Sequence, residues 1–443
     1  MFQVFRNAWK VADLRKKILF TGLIILVFRI GCAIFVPFLD TEVVRTMLGE
    51  GSESTLLGFM DTMTGGALGN GTLFAMSITP YINASIIMQL LTVAIPVLER
   101  LSKEGDEGRK KINTITKFVA LGIGLFQSVA FYIALRNHSE FIDGSLRFAV
   151  RHTEGFEGFL AMITIVGCFT AGASLIIWLG DRINENGIGN GISIILFAGI
   201  VSRLPFDIMH LINQMSVQDA QNYVLVPVYL LIYISMIAFV VLMTNAERRI
   251  PVQYAKRVVG RKMYGGQSSH IPIKVAMAGV MPIIFAMSIM SLPSTLLFFF
   301  GIDGRGEPGF WTTFLSVFNP GTWLYAVIYF FLIIAFNYFY ISIQYNPIEI
   351  ANNLKKNNGA IPGYRPGKPT SDFIYNSLSK ITLIGAIFLG FIAIFPIVFT
   401  NVTGITGMAM GGTTMLILVG VALETMRSLE GQMMMRHHKG FLE

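Results

Sequence analysis

Residues 223–274 read YVLVPVYLLIYISMIAFVVLMTNAERRIPVQYAKRVVGRKMYGGQSSHIPIK. The first part, 223–244, carries no charge and is long enough to cross a bilayer as a helix. The second part, 245–274, holds seven Lys or Arg and one acid, Glu247. Lys and Arg near the ends of membrane helices favour the cytoplasmic side, so this junction predicts a membrane fold and its orientation. The loop is more basic than orientation requires, which is typical of a docking surface for a large anionic partner.

The composition predicts an all-α polytopic membrane protein. Apolar residues make up 53% of the 443 residues and charged residues 14%, against about 25% charged in soluble domains. The fifth predicted span is the weakest, because its apolar run is short and Arg203 and Pro205 follow. Ten segments are long and apolar enough to span: 18–37, 72–98, 114–135, 158–179, 190–210, 223–244, 274–298, 322–343, 378–398 and 408–426.

The distribution of charge supports ten spans with both termini in the cytoplasm. The cytoplasmic flanks and loops then hold 27 Lys and Arg against 13 Asp and Glu, and the opposite face holds 6 against 13. Without the fifth span, loop 245–274 would face outward, against the positive-inside tendency. The chain divides near residue 211 into two five-helix halves, 1–210 and 211–443. Their pseudo-symmetry is a hypothesis, since no sequence repeat is evident.

Several kinds of chemistry are missing from the sequence. No phosphate-binding G-x-x-x-x-G-K-[ST] occurs, the acids cluster at the ends of spans, and Arg29 is taken as the one charge within a span. Cys32 and Cys168 lie in apolar runs, which indicates buried free thiols. The sequence therefore predicts no enzyme, no metal and no cofactor. A Na⁺ symporter that uses backbone carbonyls stays open.

The segment 56–71, LLGFMDTMTGGALGNG, is apolar, rich in glycine and too short to span. Two structures fit its composition equally. One is a re-entrant segment covered by the helix bundle, since non-helical backbone at membrane depth must be covered by protein or water. The other is a plain outer loop.

Six stretches together resemble the SecY family, the large subunits of protein-conducting channels. The resemblance extends from about residue 14 to 442. Ser77 departs from it, because the family usually has Gly there, and this leaves the packing of the hinge before the second span open. The stretches are SITPYINASIIMQLL (77–91), LSKEGDEGRKKI (101–112), WLGDRINENGIGNGISIILFAGI (178–200), RRIPVQYAKRVVGRKMYGGQSSHIPIKV (248–275), NPIEIANNLKKNNGAIPGYRPGKPT (346–370) and GGTTMLILVGVALET (411–425).

The resemblance implies a central hourglass pore between the two halves. It assigns a lateral gate between the second and third helices and the seventh and eighth, although its polar residues fit ordinary packing as well. The positions that match the family are, for the aliphatic pore ring, Ile78, Ile82, Ile192, Leu196, Ile284 and Ile417; for a plug formed by 56–71, Phe59, Met60, Gly65, Gly66 and Leu68; and for the gate, Asn83, Ile86, Gln89 and Gln127.

The resemblance also implies how the channel is driven. Unfolded secretory polypeptides would cross the bacterial inner membrane, and transmembrane segments would leave sideways into lipid. The implied partners are SecE-like and SecG-like small membrane subunits, the SecA ATPase, ribosomal RNA phosphates, signal sequences and nascent chains. Docking is expected on loops 245–274 and 344–377, through Arg248, Arg249, Lys256, Arg257, Arg261, Lys262, Arg365 and Lys368.

Two other functions are open from composition alone. A ten-helix carrier for a small solute would need polar ligands at mid-membrane and no long basic loops. A membrane scaffold would need neither a plug nor proline-rich helices. Co-purification of two small membrane subunits would separate a channel from both.

Overall fold

The computed structural model of the chain describes residues 2–48, 56–137, 139–142, 145–152, 154–216, 222–254, 257–259, 262–264, 268–299, 317–318, 322–403 and 412–437. Most of these residues are helical. The helices are α1 (Phe2–Lys10), α2 (Ala12–Gly31), α3 (Thr41–Leu48), α4 (Leu56–Thr64), α5 (Thr79–Ala94), α6 (Pro96–Lys103), α7 (Asp106–Asn137), α8 (Gly155–Asn186), α9 (Gly191–Ser216), α10 (Asn222–Asn245), α11 (Met281–Phe299), α12 (Trp323–Gln344), α13 (Pro347–Lys356), α14 (Lys368–Thr403) and α15 (Gly412–His437).

Each of the ten predicted spans coincides with a helix: α2, α5, α7, α8, α9, α10, α11, α12, α14 and α15. Seven of the described helices are long and apolar enough to cross a membrane alone, and α5 with α6 makes an eighth if that bent pair is one span. Charged residues interrupt the apolar run of α2. In α11 the comparison extends over Met281–Met290, because most side chains after Met290 lie outside the described residues. The ten-span prediction therefore agrees in position throughout and in length and composition at seven or eight segments.

The weak fifth span is a continuous helix. α9 runs through Arg203 and Pro205 to Ser216. The expectation that Arg29 is the one charge within a span is therefore wrong, because Arg203 and Asp207 lie in the apolar part of α9, Gly191–Met209. These charges shorten the apolar run in the sequence. In the structure they do not end the helix, because they pair with protein groups instead of facing lipid.

A proline breaks the second span. α5 ends at Ala94, Ile95 is extended (φ −108°, ψ 114°), and Pro96 begins α6 at an angle of 100°. Proline has no backbone N–H to donate and pushes the preceding residue toward extended conformations, so the helix ends there.

The N-terminus of α13 is capped by a side chain. The Oδ1 of Asn346 accepts a hydrogen bond from the Ile348 N–H at 3.1 Å.

The apolar core consists of clusters within each half and one at the centre. The central cluster gathers residues from α2, α4, α5, α8 and α9, and α15 of the second half adds Ile417 and Val421. Helix α9 contacts both α4 and α15. The helices before and after residue 211 therefore meet on α9 and α15, where three of the six predicted pore residues lie. Cys32 in this cluster is buried, Cys168 is half-buried, and both are free thiols.

Short strands lie in the loops, which the all-α prediction did not include. The strands are β1 (Ser139–Ile142), β2 (Ser145–Phe148), β3 (Glu247–Tyr254), β4 (Arg257–Val259), β5 (Lys262–Tyr264), β6 (Ser268–Lys274) and β7 (Gly359–Ala360). β1 pairs with β2, and β4 with β5, as antiparallel hairpins. The order β6-β3-β7 forms a three-stranded sheet in which β7 comes from a different loop. This sheet positions the basic loop.

Candidate functional site

Five of the six predicted ring residues meet in the central cluster. Ile78 directly precedes α5 and is 1% exposed, and Ile82 follows one turn later, with its N–H donating to the Ile78 carbonyl at 3.0 Å. Ile192 and Leu196 approach from α9, and Ile417 from α15. Ring assignments made from sequence positions far apart in the chain thus fall in one place.

Ile284 lies outside this cluster. It is half-buried on α11, one turn after Val280, which packs against the cluster. The N–H of Ile284 donates to the Val280 carbonyl at 3.3 Å. The structure therefore brings α11 to the edge of the ring through Val280 rather than through Ile284.

The Gly-rich segment 56–71 is packed inside the bundle and is not a loose outer loop. Met63 and Ala67 belong to the same cluster as the ring, and Leu68 is also buried. The backbone turns at Gly65 and Gly66 with φ of 70° and 87°, a left-handed conformation that glycine adopts without strain. A Cβ on Gly199 of α9 would overlap the Met63 carbonyl, so the segment touches α9 closely. The side chains of Phe59 and Met60 lie outside the described residues.

A group of charged side chains missed by sequence reasoning holds this segment against α9. Asp61 of α4 accepts a hydrogen bond from Arg203, and Asp207 accepts another from the Arg203 Nε at 3.4 Å. Two features of the sequence pointed to it. One is a lone acid within an apolar, glycine-rich stretch, and the other is Arg203 and Asp207 four residues apart on one helix face.

Ser77, in the hinge between segment 56–71 and α5, has a strained backbone conformation. Its φ is 46°, in the left-handed region that favours glycine, and it is buried. Its Oγ has no hydrogen-bond partner among the described residues. The departure from the family's usual Gly therefore falls where a glycine would fit with less strain.

The predicted gate residues lie on two helices that touch. Asn83, Ile86 and Gln89 are half-buried on α5, and Gln127 is half-buried on α7. α7 contacts α5 and also α11, across the predicted gate. The Oε1 of Gln127 is buried and has no hydrogen-bond partner in the described part of the chain. A buried acceptor without a partner costs free energy, so a donor that reached Gln127 would stabilise the contact.

The two predicted docking loops form one folded unit. β3 and β6 pair antiparallel from Glu247 with Lys274 to Gln253 with Ser268, and β7 adds Ala360 opposite Gln253. Beneath the sheet lies an apolar cluster formed by both loops and α14: Ile250, Val252, Ile273, Leu354, Ile361, Ile374, Leu378 and Ile381. A basic loop that looked irregular in sequence is therefore anchored on a sheet.

The turn that carries Arg365 is fixed by its neighbours. Gly363 and Gly367 have φ of 86° and 110°, so both take conformations that favour glycine. The Thr370 hydroxyl donates to the Arg365 carbonyl at 2.8 Å. The ring of Tyr364 stacks on Phe373 with centroids 4.3 Å apart. The backbone of Arg365 is held while the residue itself is exposed.

The other predicted docking residues are described to different degrees. Arg248 and Arg249 are exposed on β3, and Lys368 is exposed at the start of α14. Arg257 and Lys262 lie on β4 and β5, but their side chains, like Lys256 and Arg261 altogether, are outside the described residues.

The charged side chains at the base of the loop interact with one another and with the last helix. The hydrogen bond from Arg249 to Glu247, at 2.7 Å, lowers the pKa of Glu247. Burial lowers the pKa of Lys274, and the nearby Arg427 lowers it further. Arg427 of α15 also donates to the Asn245 Oδ1 at 2.7 Å. The last helix therefore braces the point where α10 passes into the loop.

Comparisons with a protein-family model and with known proteins agree on one family. The SecY family model matches residues 72–426. The protein translocase subunit SecY of Halalkalibacterium halodurans is 40% identical over 450 residues, covering 100% of both chains.

Solved structures share the fold at low identity. A SecY channel, described as having a plug domain that stabilises the closed state and maintains a membrane seal, aligns with TM-score 0.61 and 19% identity over 94% of this chain and 91% of that one. Sec61 in the canine ribosome-channel complex aligns with TM-score 0.60 and 18% identity over the same shares.

Proposed function

Because this chain belongs to the SecY family and is a protein-conducting membrane channel, we propose that unfolded polypeptide crosses it through the ring of aliphatic residues in the central cluster. One observation supports this proposal: Ile78, Ile82 and Leu196 pack in the same apolar cluster as Ile417 of the opposite half. Aliphatic side chains offer no hydrogen bonds to ions or water, so the ring seals by exclusion and yields by side-chain movement. In this proposal Ile284, which lies outside the cluster, joins the ring only when the ring widens to pass a polypeptide.

The segment 56–71 acts in this proposal as the plug of the resting channel. Its contact with the ring through Met63 and Ala67 supports that role. Its left-handed glycines let it pack closely beside α9 without side chains that would obstruct its departure.

The surface between α5, α7 and α11 serves as the lateral gate. A helix contact with few hydrogen bonds separates readily, since interhelical polar contacts in membranes average below about 1 kcal/mol. Gln127 offers a buried acceptor to an incoming signal sequence. Transmembrane segments would leave into lipid by the same route.

The sheet β6-β3-β7 and the Arg365 turn form the docking surface of a cytoplasmic partner, either a SecA-type ATPase or a translating ribosome. Exposed guanidinium groups bind phosphate or carboxylate in bidentate fashion. The ribosome-bound relative supports the second partner. With the docking surface in the cytoplasm, the proposal puts both termini on that side of a bacterial inner membrane, in agreement with the positive-inside tendency of the loops. The chain itself carries out no catalysis, and SecE-like and SecG-like subunits accompany it.

A cross-link from a stalled nascent chain tests the pore. A photoreactive residue replacing Ile82 should label the stalled polypeptide, because that side chain lies in the ring. The matched control replaces Phe118 of α7, which is 72% exposed and faces away from the core. Labelling at both positions alike, or at Phe118 alone, would overturn the assignment of the pore.

A further inference from the structure

The charged group beside the plug is largely withdrawn from water. The side chains of Arg203, Asp61 and Asp207 are 20%, 12% and 7% exposed. Removing one member of a buried ion pair leaves a charge without compensation in a medium of low polarity, so such pairs are costly to break. A contact of this kind on a segment that must move is a candidate for control of that movement.

The carboxylates of Asp207 and Asp61 have different roles. Asp207 stands four residues after Arg203 on α9, so their hydrogen bond stays within one helix and orients the guanidinium. Asp61 stands 142 residues before Arg203, on α4. The Asp61–Arg203 pair therefore ties the plug segment to the wall of the bundle.

Asp61 also organises the plug segment itself. Its Oδ1 accepts from the Gly69 N–H at 2.7 Å, and its backbone carbonyl accepts from the Thr64 hydroxyl at 2.8 Å. The carbonyl also accepts from the Gly66 N–H at 2.9 Å. One residue thus closes the turn and carries the charge that meets Arg203, so the segment is held and released as a unit.

A second cation lies at the same place. The Nη1 of Arg29 in α2 is buried and has no hydrogen-bond partner among the described residues. It lies beside Gly65, since a Cβ there would touch it. If Asp61 lost its charge, two cations would remain beside the segment with one carboxylate fewer, which would disfavour the closed packing.

From this geometry, and resting on the proposed plug function, we propose that Asp61 and Arg203 form an ionic latch that keeps the channel closed, with Asp207 as the residue that positions Arg203. Opening separates the pair and returns both charges to water. The latch sets the threshold at which a precursor or a partner displaces the plug.

Resting ion conductance of the purified channel complex in planar bilayers, without precursor or motor, tests the latch. Asp61→Asn keeps the shape of the side chain and removes its charge, and we expect the resting conductance to rise about tenfold, as for a broken buried pair. Asp61→Glu keeps the charge and should therefore stay close to the wild-type conductance. If the residue only shaped the turn, keeping the charge would not be expected to restore closure. Asp207→Asn should leak less than Asp61→Asn.

The control removes an ion pair that does not touch the plug. Glu42 pairs with Arg147 at 2.9 Å, and both side chains are substantially exposed. Glu42→Gln should leave the conductance unchanged. Equal leakage from Glu42→Gln and Asp61→Asn, or none from Asp61→Asn, would overturn the latch. If Asp61→Asn fails to assemble, Arg203→Gln, which removes the other charge of the pair, must leak more than wild type.

A disulfide separates failure of the latch from failure of the plug. A Cβ on Gly65 would meet the Ser202 Oγ, so cysteines at both positions are within reach of a disulfide formed by a copper–phenanthroline oxidant. That Cβ would also crowd Arg29 and the Gly199 carbonyl at a left-handed backbone position, so the reduced double-cysteine variant, not wild type, is the reference for translocation. Oxidation of the Gly65→Cys, Ser202→Cys pair should block precursor translocation, and reduction should restore it. Unimpeded translocation after oxidation would refute the plug. A block by oxidation without leakage in Asp61→Asn would refute the latch alone.

Discussion

The guanidinium of Arg203 lies between two carboxylates and is 20% exposed, whereas Arg365 stands exposed on a turn whose backbone is fixed. The difference lies in solvation. A buried charge is stable only while its partners stay, so it holds parts of one molecule together. An exposed charge keeps its water until a partner replaces it, so it is available for binding.

The surroundings match these two uses. Around Arg203 the backbone is glycine-rich and the contact crosses from α4 to α9. Around Arg365 a sheet, an apolar cluster and a stacked pair of rings fix the scaffold and leave the charge outside. The plug region can therefore separate at its charges, while the docking region presents them on a rigid base.

The largest effect is expected from reversing the exposed charge. Arg365→Glu should reduce affinity for the cytoplasmic partner about thirtyfold, or ~2 kcal/mol, as for a residue that dominates an interface. The protein should remain folded and inserted, because Arg365 is exposed. Binding of the motor ATPase to proteoliposomes measures it, and Lys368→Glu is the matched control with a smaller expected loss. Normal binding and export by Arg365→Glu would break the comparison.

A smaller effect is expected from opening the apolar ring. Ile82→Gly should raise the resting ion conductance severalfold, because it removes a side chain that packs into the central cluster. Ile284→Gly should raise it less, since Ile284 lies outside that cluster. Single-channel recording in planar bilayers compares the two. A larger leak from Ile284→Gly would mean that the closed ring is centred on α11.

The rigidity of the docking turn can be tested with one hydroxyl. Thr370→Val keeps the shape of the side chain and removes the hydrogen bond to the Arg365 carbonyl. A net hydrogen bond contributes about 1 kcal/mol, so partner affinity should fall by at most about fivefold. Titration of the partner onto the reconstituted channel measures this. Unchanged affinity would show that the glycines and the Tyr364 stack suffice.

The smallest effect is expected at Ser77, in the hinge between the plug segment and α5. Ser77→Gly should stabilise the folded protein by ~1 kcal/mol, because it relieves a left-handed conformation and removes a buried hydroxyl without a partner. The thermal unfolding midpoint in detergent should rise slightly. Ser77→Ala is the control, since it removes the hydroxyl and keeps the strain. A lower midpoint for Ser77→Gly would mean that the hydroxyl has a partner the closed structure needs.

The helices were predictable because each depends on a local run of apolar residues, and all ten segments coincide with a helix. The family resemblance supplied the ring, and five of its six residues meet. The sequence marks Asp61 and Arg203 separately as charges in apolar stretches, but it does not pair them, because their separation of 142 residues leaves no periodic pattern. The strand β7 was missed for a similar reason, since two residues, Gly359 and Ala360, carry too little pattern to predict pairing with a distant loop.

The pairing of β7 with β3 has a mechanical consequence. A load applied at the Arg365 turn passes through backbone hydrogen bonds into β3, and from there into both α10 and the chain that leads to α11. The same load enters α14 directly through its first turn, where Thr370 is tied to Arg365. Three helices of the second half thus take up the force together. A partner that pushes at this single turn would therefore load α10, α11 and α14 at once, and α11 begins beside the central cluster, next to Val280.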